Sequence, residues 1–274
     1  MHYDPIKDRF GDLVAGHSLL TRLFFSVLQL FFLRAWYVRR ELKRQLRARA
    51  GKGVIRVLDA GTGFGQFSYW IARKFPFVRI RAVDIKQDYL DRASDLFEEM
   101  GLSERVEFAI DDLTALAARG PFDLILSVDV MEHIEEDEAV FRHFARVLAP
   151  GGVVIINTPS DLGGSDVHGS DEESFIGEHV RHGYNRVELV EKLRSAGLKT
   201  SHAFYTYGRS GSLAWRVLIQ VPMRMLSLSW AFVAILPFYY VPVLPLGLLL
   251  NWLDMRRPNE SGTGLLVVAE KEDF

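Results

Sequence analysis

The 274-residue chain has no cysteine, which excludes a disulfide framework, a thiolate zinc site and a thiol nucleophile. It also has little net charge. Lys and Arg number 33 against 35 Asp and Glu, for a net charge of −2, so a chain-wide polycation for nucleic acid is excluded. The opening residues, Met1 to Asp8, lack the basic stretch and short apolar core of a secretory signal, so none is expected. There is no internal repeat. With 49% hydrophobic and 25% charged residues, disordered and collagen-like classes are excluded as well. The near-zero charge is unevenly spread: residues 1–52 carry 11 Lys/Arg against 4 Asp/Glu, net +7, leaving net −9 for the rest.

What is present falls into three textures. Residues 1–16 are polar and read as a loop or loose lid. From Ser18 to Arg49 no Gly or Pro intervenes, which predicts one long helix. Its first half is apolar nearly all round (Leu23, Phe24, Phe25, Val27, Leu28, Leu30, Phe31, Trp36), and its second half is basic (Arg39, Arg40, Lys43, Arg44, Arg47, Arg49). From residue 53, strand and helix patterns alternate at short intervals, the signature of βαβ units and a parallel sheet. The strands expected are Val54–Ala60, Ile80–Ile85, Val106–Ile110, Phe122–Val128 and Gly152–Asn157. Helices are expected over Gly65–Lys74, Gln87–Met100, Leu113–Arg119 and Glu135–Leu148. After a polar loop, Asp161–Gly183, the spacing Asn185/Glu188 predicts a capped helix ending at Gly197. Strands Leu198–Tyr207 and Gly264–Glu270 enclose an apolar insertion, 209–261.

The run Asp59-Ala60-Gly61-Thr62-Gly63-Phe64-Gly65 places a glycine-rich turn between the first strand and its helix, where backbone can approach a ligand and free N–H groups open the helix. Asp84 ends the second strand, 23 residues after Gly61, where a carboxylate would accept ribose hydroxyls. Asp111-Asp112 end the third strand and suit an adenine edge. Position 66 is Gln where a dinucleotide fingerprint has Gly. Asp59 would repel a pyrophosphate but welcome a cation, and no phosphate-cradling Gly-x-x-x-x-Gly-Lys-Ser/Thr loop exists. This chemistry favours a sulfonium cofactor, S-adenosylmethionine, over NAD(P).

These residues resemble the motifs of class I S-adenosylmethionine-dependent methyltransferases. The resemblance continues through Val83-Asp84-Ile85, Asp111-Asp112-Leu113, Phe122–Ile134, Leu148–Gly152 and Glu178–Tyr184, over roughly residues 53–200, and its texture is closest to the quinone-biosynthesis and lipid-directed branch. It implies an α/β, Rossmann-like seven-stranded sheet with flanking helices and an antiparallel last strand. The N-terminal amphipathic helix and the apolar helical insertion before that strand are additions to the minimal core. The domains expected are therefore 1–52, a membrane-interacting or lid helix; 53–208 with 262–274, the methyltransferase domain; and 209–261, a membrane-associating insertion. By position, the resemblance assigns Gly61, Thr62, Gly63 and Gly65 to the methionine part and Asp59 to its ammonium. It assigns Asp84 to the ribose, Ile85 to the adenine, Asp111 or Asp112 to its amino group, and Leu113 to the cofactor site. Ser127 and Val128 would line the reactive sulfur.

Methyl transfer needs alignment more than acid–base chemistry, and a base only where the acceptor must lose a proton. His133, just past the fourth strand, is the leading candidate, with His179 and His182 on the covering loop as others; a reaction without a base is also open. Asp129, Glu132 and His133 have letters that suit a divalent metal, but helix-capping carboxylates look the same, and we assign no metal.

Met225–Leu250 carries no charge for 26 residues, enough to span a bilayer. Pro237, Pro242 and Pro245 interrupt it, and neighbouring strands on either side require it to start and finish on one side. A re-entrant or monotopic element is expected. The basic half of the first helix suits an anionic, cytoplasmic leaflet, and Trp36, Tyr37, Trp215, Trp230, Tyr239 and Tyr240 would anchor at the interface. The expected enzyme methylates an amphiphilic or lipid-like acceptor, with a quinone or phenol oxygen favoured, at the cytoplasmic face of a membrane. The alternatives are a soluble small-molecule methyltransferase and a non-catalytic cofactor-binding scaffold.

Overall fold

A computed structural model describes residues 18–163 and 180–271. Seven strands form one sheet in the order β3-β2-β1-β4-β5-β7-β6: β1 Ile55–Ala60, β2 Val78–Asp84, β3 Val106–Ile110, β4 Phe122–Val128, β5 Leu148–Pro159, β6 Leu198–Thr206 and β7 Gly264–Lys271. The first five are parallel to one another, and β7 runs antiparallel between β5 and β6. Chain direction around the sheet reverses between β1 and β4. At such a switch point the connections leave in opposite directions and open a crevice beyond the strand C-termini.

The expected helix over 18–49 is two helices, α1 Ser18–Phe31 and α2 Leu33–Arg49. Phe32 takes an extended conformation (φ −87°, ψ 114°), and the Leu30 carbonyl accepts from the Trp36 indole N–H at 3.0 Å. A side chain thus replaces part of the lost backbone ladder. In α2 the stripe Ala35, Val38, Leu42, Leu46 is buried, at spacings that put one face of a helix against a core. That face joins Val57, Ile80, Leu124 and Ile155 in a single hydrophobic cluster. The basic half of the sequence-predicted helix is therefore a core helix of the domain, and a boundary at residue 52 would cut through one core. Several of its cations are engaged internally: Arg39 lies 4.8 Å from the Trp70 ring, and Arg49 donates to the Gly151 carbonyl.

The remaining sheet-flanking helices are α3 Gln66–Lys74, α4 Gln87–Glu99, α5 Asp137–Val147 and α6 Arg186–Ser195. As its sequence predicts, α6 is capped by Asn185, whose Oδ1 accepts from the Val187 and Glu188 amides. The helix expected over Leu113–Arg119 is absent; only a 3-10 turn, Leu113–Ala115, forms there. The cause is Asp111, whose two carboxylate oxygens accept from the Ala117 and Ala118 amides, each at 2.8 Å. Those amides would otherwise have to bond along a helix.

The insertion is helical: α7 Arg209–Trp215, a π turn Arg216–Gln220, α8 Val221–Leu228, a 3-10 turn Trp230–Ala234 and α9 Leu236–Arg256. Pro222 has no N–H for the Leu218 carbonyl, and the Tyr240 hydroxyl donates to it at 2.8 Å; Tyr239 donates to the Val217 carbonyl at the same distance. These two half-buried tyrosines, expected as interface anchors, use their hydroxyls to repair a helix. Tyr37 is removed from that role, since it is 2% exposed and donates to Asp254 Oδ1 at 2.7 Å. Asp254 in turn accepts from the Gly211 amide, so α2, α7 and the end of α9 meet at one buried carboxylate.

Candidate active site

The strand C-termini at the switch point gather the expected cofactor residues. In the glycine turn, Gly61 has φ +81°, and a Cβ there would sit 2.3 Å from Val130 Cγ2. Only glycine allows the strand to turn this close to the β4 connection. Gly63, at φ +54°, faces open space, which leaves its backbone available to a ligand. Asp84 holds this turn: one oxygen accepts from the Gly63 amide at 2.8 Å and the other from the Lys86 amide at 3.1 Å. Next to it, Ile85 is 67% exposed, an apolar side chain in the place where the resemblance puts the adenine ring.

Three of the expected residues have structural duties. Asp59 is buried and accepts from the Thr62 and Ser68 hydroxyls at 2.8 and 2.6 Å, so it pins the glycine turn to α3. Burial pushes its carboxyl up, against the opposing hydroxyls. Asp111 is 5% exposed and turned onto two backbone amides, which leaves Asp112 as the accessible carboxylate for an adenine amino group. Asp112 is exposed, and its Oδ1 caps the following turn through Thr114. Leu113 is buried in the core beneath. At the end of β4, Ser127 Oγ is buried without a hydrogen-bond partner, and so are Asn157 Oδ1 on β5 and Thr206 Oγ1 on β6. Unsatisfied buried polar atoms are uncommon. Those of Ser127 and Asn157, on the neighbouring strands β4 and β5, fit a site that binds a polar molecule.

Val128 is followed by a cluster that the sequence reading missed. Asp129 adopts φ 53° and Tyr207 φ 55°, and these are the only non-glycine residues with positive φ among those described. Arg34, from the start of α2, touches both: its guanidinium pairs with Asp129, and its amide donates to the Tyr207 hydroxyl at 3.1 Å. Asn157 Nδ2 donates to the other Asp129 oxygen at 3.0 Å. Strained backbones held by their surroundings in this way cluster at functional sites. A lone arginine in the apolar run Leu23–Val38 was the available sequence signal.

Beside this pair, Glu132 is 1% exposed and accepts from Thr158 Oγ1 at 3.1 Å. Burial, with Asp129 adding to it, pushes its carboxyl up to about 8, while Thr158 and Arg34 oppose the shift. Burial also pushes the Tyr207 phenol up to about 12. Among the described residues no group of three or more His, Asp or Glu is arranged to hold a metal; the cation beside Asp129 is Arg34.

His133 ends the 3-10 turn Met131–His133 and is half-buried. The segment carrying His182 is fastened to that turn: the Val180 amide donates to the Glu132 carbonyl, and Arg181 bonds the Ile134 carbonyl and pairs with Asp137. His182 itself is exposed. His179 lies outside the described residues, as do residues 1–16 and most of the loop to Gly183.

The seven-stranded order with antiparallel β7, the glycine turn and the strand-end carboxylates define a class I S-adenosylmethionine-dependent methyltransferase domain. A family model described as a methyltransferase domain matches residues 57–152. The chain is 33% identical over 144 residues to methyltransferase GfsG of Streptomyces halstedii, covering 50% of this chain and 51% of that protein. It is 34% identical over 104 residues to a ubiquinone biosynthesis O-methyltransferase of Caulobacter sp. (strain K31), covering 38% and 40%. The chain thus spans about half or less of the length of these curated relatives. The fold is shared with a putative sarcosine dimethylglycine methyltransferase from Galdieria sulphuraria, at TM-score 0.60, 19% identity and coverage of 88% and 86%. It is shared too with phosphoethanolamine N-methyltransferase 2 of Haemonchus contortus, at TM-score 0.59, 20% identity and coverage of 85% and 51%.

Proposed function

We propose that the protein transfers the methyl group of S-adenosylmethionine to an amphiphilic acceptor presented at a membrane surface, with a phenolic or quinone-type oxygen favoured. The observation that carries the membrane part is α9. It is long and apolar enough to cross a bilayer by length and composition, yet only 11% of its apolar window is buried. Phe238 and Val241 on it are 78% and 75% exposed, and Trp230 before it is 68% exposed. Contiguous exposed apolar surface of this kind marks an interaction site. Its far end is fastened, through Asp254 and Tyr37, to the helix that carries Arg34 into the site. Exposed Arg22, Arg209, Arg216, Arg224 and Arg256 on these same elements suit the anionic head groups of a cytoplasmic-face leaflet.

The residues fit the cofactor: Gly63 leaves room for it, Asp84 meets the ribose, Ile85 covers the adenine, and Ser127 supplies an unused hydroxyl. When bound, S-adenosylmethionine supplies an electrophilic methyl group on a cationic sulfur. The protein's part is to align the acceptor and exclude water. His133 takes a proton from an acceptor hydroxyl. Arg34 holds Asp129 in place at the β4 end, and Glu132, with a carboxyl poised near neutral pH, stands behind it as a proton reservoir.

The test incubates detergent-purified protein with methyl-labelled S-adenosylmethionine and a bacterial lipid extract, with and without anionic vesicles. Label in the organic phase, increased by vesicles and reduced at least tenfold by a Trp230→Glu/Phe238→Glu variant, is expected. Label confined to water-soluble acceptors, at equal rates in that variant, would overturn the membrane reading. No label anywhere, with cofactor binding intact, would leave a non-catalytic scaffold.

A further inference from the structure

At the opposite end of the sheet from the candidate active site, a cavity of about 390 Å3 opens among Arg56, Arg79, Arg81, Glu107, Arg119 and Phe122. It exists because the connection after β3 did not form a helix. Only a 3-10 turn and extended chain lie over this face, and they contribute Ala117 and Arg119 to the rim. The strand register does the rest. Arg56 on β1 stands opposite Arg79 on β2, and Arg81 stands opposite Glu107 on β3. Side chains at alternate positions share a face, so Arg56, Arg79 and Arg81 converge.

Placing two arginines directly opposite each other on neighbouring strands is unfavourable by itself. Here the repulsion is not neutralised by the protein. Arg81 pairs with Glu107 at 2.6 Å, but among the described residues Arg56, Arg79 and Arg119 form no ion pair. Arg56 and Arg79 are held by neutral groups instead. Arg79 donates to the Glu104 carbonyl at 2.5 Å, Arg56 reaches the Arg119 carbonyl at 3.5 Å, and the Arg56 guanidinium lies 5.3 Å from the Phe122 ring centroid. The Nε of Arg81 is buried with no partner. Carbonyls and a ring fix guanidinium groups without cancelling their charge. The cavity lining therefore holds four cations and one carboxylate.

We propose that this cavity is a second binding site, separate from the cofactor site, for a phosphate-bearing anion. Phosphate is the chemistry that several guanidinium groups recognise together, because each presents a planar fork of N–H donors to two oxygens. The inference is independent of the acceptor reading above. A soluble phosphate ester and a lipid head group both carry that chemistry.

Calorimetric titration with inorganic pyrophosphate at constant ionic strength tests the site. Saturable binding is expected, weakened at least tenfold by Arg56→Gln and by Arg79→Gln, and only partly by Arg56→Lys, which keeps charge but loses the fork. S-adenosylhomocysteine affinity, measured on the same samples, stays unchanged and certifies that each variant is folded. Vesicles of phosphatidylglycerol, compared with phosphatidylcholine, separate the sources. Retention lost in the arginine variants points to a head group, and retention equal to wild type, with pyrophosphate binding still lost, points to a soluble ester. No saturable pyrophosphate binding by protein that binds S-adenosylhomocysteine, or equal affinity in all variants, would overturn the proposal.

Discussion

Glu132 makes the strongest physical claim about the site, and Glu132→Gln tests it. The carboxyl is 1% exposed and pushed up to about 8, chiefly by burial, whereas an unfolded glutamate titrates near 4.3. Between those values the folded protein keeps a proton that the unfolded chain has released. Stability contributed by this group is therefore complete below about pH 4, and is lost as pH rises through about 8. One proton corresponds to at most about 1.4 kcal/mol per pH unit, so from pH 5 to pH 8 the loss is roughly 4 kcal/mol. Gln is nearly isosteric, cannot ionise, and keeps an oxygen to accept from Thr158. The variant should lie within about 1 kcal/mol of wild type at pH 5. By pH 9 it should be the more stable by roughly 3–5 kcal/mol. Urea unfolding of both proteins in the same mild detergent at pH 5, 7 and 9 measures the difference, in which groups that do not interact with Glu132 cancel. Parallel pH profiles would refute the buried, proton-holding Glu132.

Three further outcomes follow from the same geometry. Gly61→Ala places a Cβ 2.3 Å from Val130 Cγ2 at positive φ, and should cost about 2–4 kcal/mol, read as a melting-temperature drop and weakened S-adenosylhomocysteine binding. Arg34→Gln leaves Asp129 without its cation. With the guanidinium side chain 37% exposed, screening reduces the loss to about 1–2 kcal/mol. The Glu132-linked fall in stability should also move to higher pH, because Arg34 opposes that carboxyl's shift. Tyr37→Phe removes the hydroxyl that donates to Asp254 and should cost about 1.5–3 kcal/mol, with faster amide exchange concentrated in α7 and the end of α9.

The parallel sheet and its strand-end chemistry were legible because they are local. The glycine turn and the Asn185 cap each act within a few residues of themselves, and β-strand patterns report burial directly. The long-range roles were not. Leu113–Arg119 has helical letters, but Asp111 takes its amides and straightens it. Asp59 and Asp111 read as ligand-facing carboxylates, and the fold turns both onto their own turns. Tyr37 looks like an interfacial aromatic until Asp254, 217 residues on, comes to meet it. Phe32 carries no breaker signal, since neither Gly nor Pro stands at the break in the helix. Arg34 belongs to the active site only because that break aims it at Asp129, 95 residues away.

The central claim is that the crevice beside β1, β2 and β4 binds S-adenosylmethionine through Asp84. Calorimetric titration of the detergent-purified protein with S-adenosylhomocysteine, alongside Asp84→Ala, tests it most directly. One-site binding of about micromolar affinity is predicted, with a loss of roughly 10- to 100-fold in the variant, the scale of hydrogen bonds to a charged group. Folded wild-type protein that gives no binding heat, or a variant that binds equally well, would contradict it.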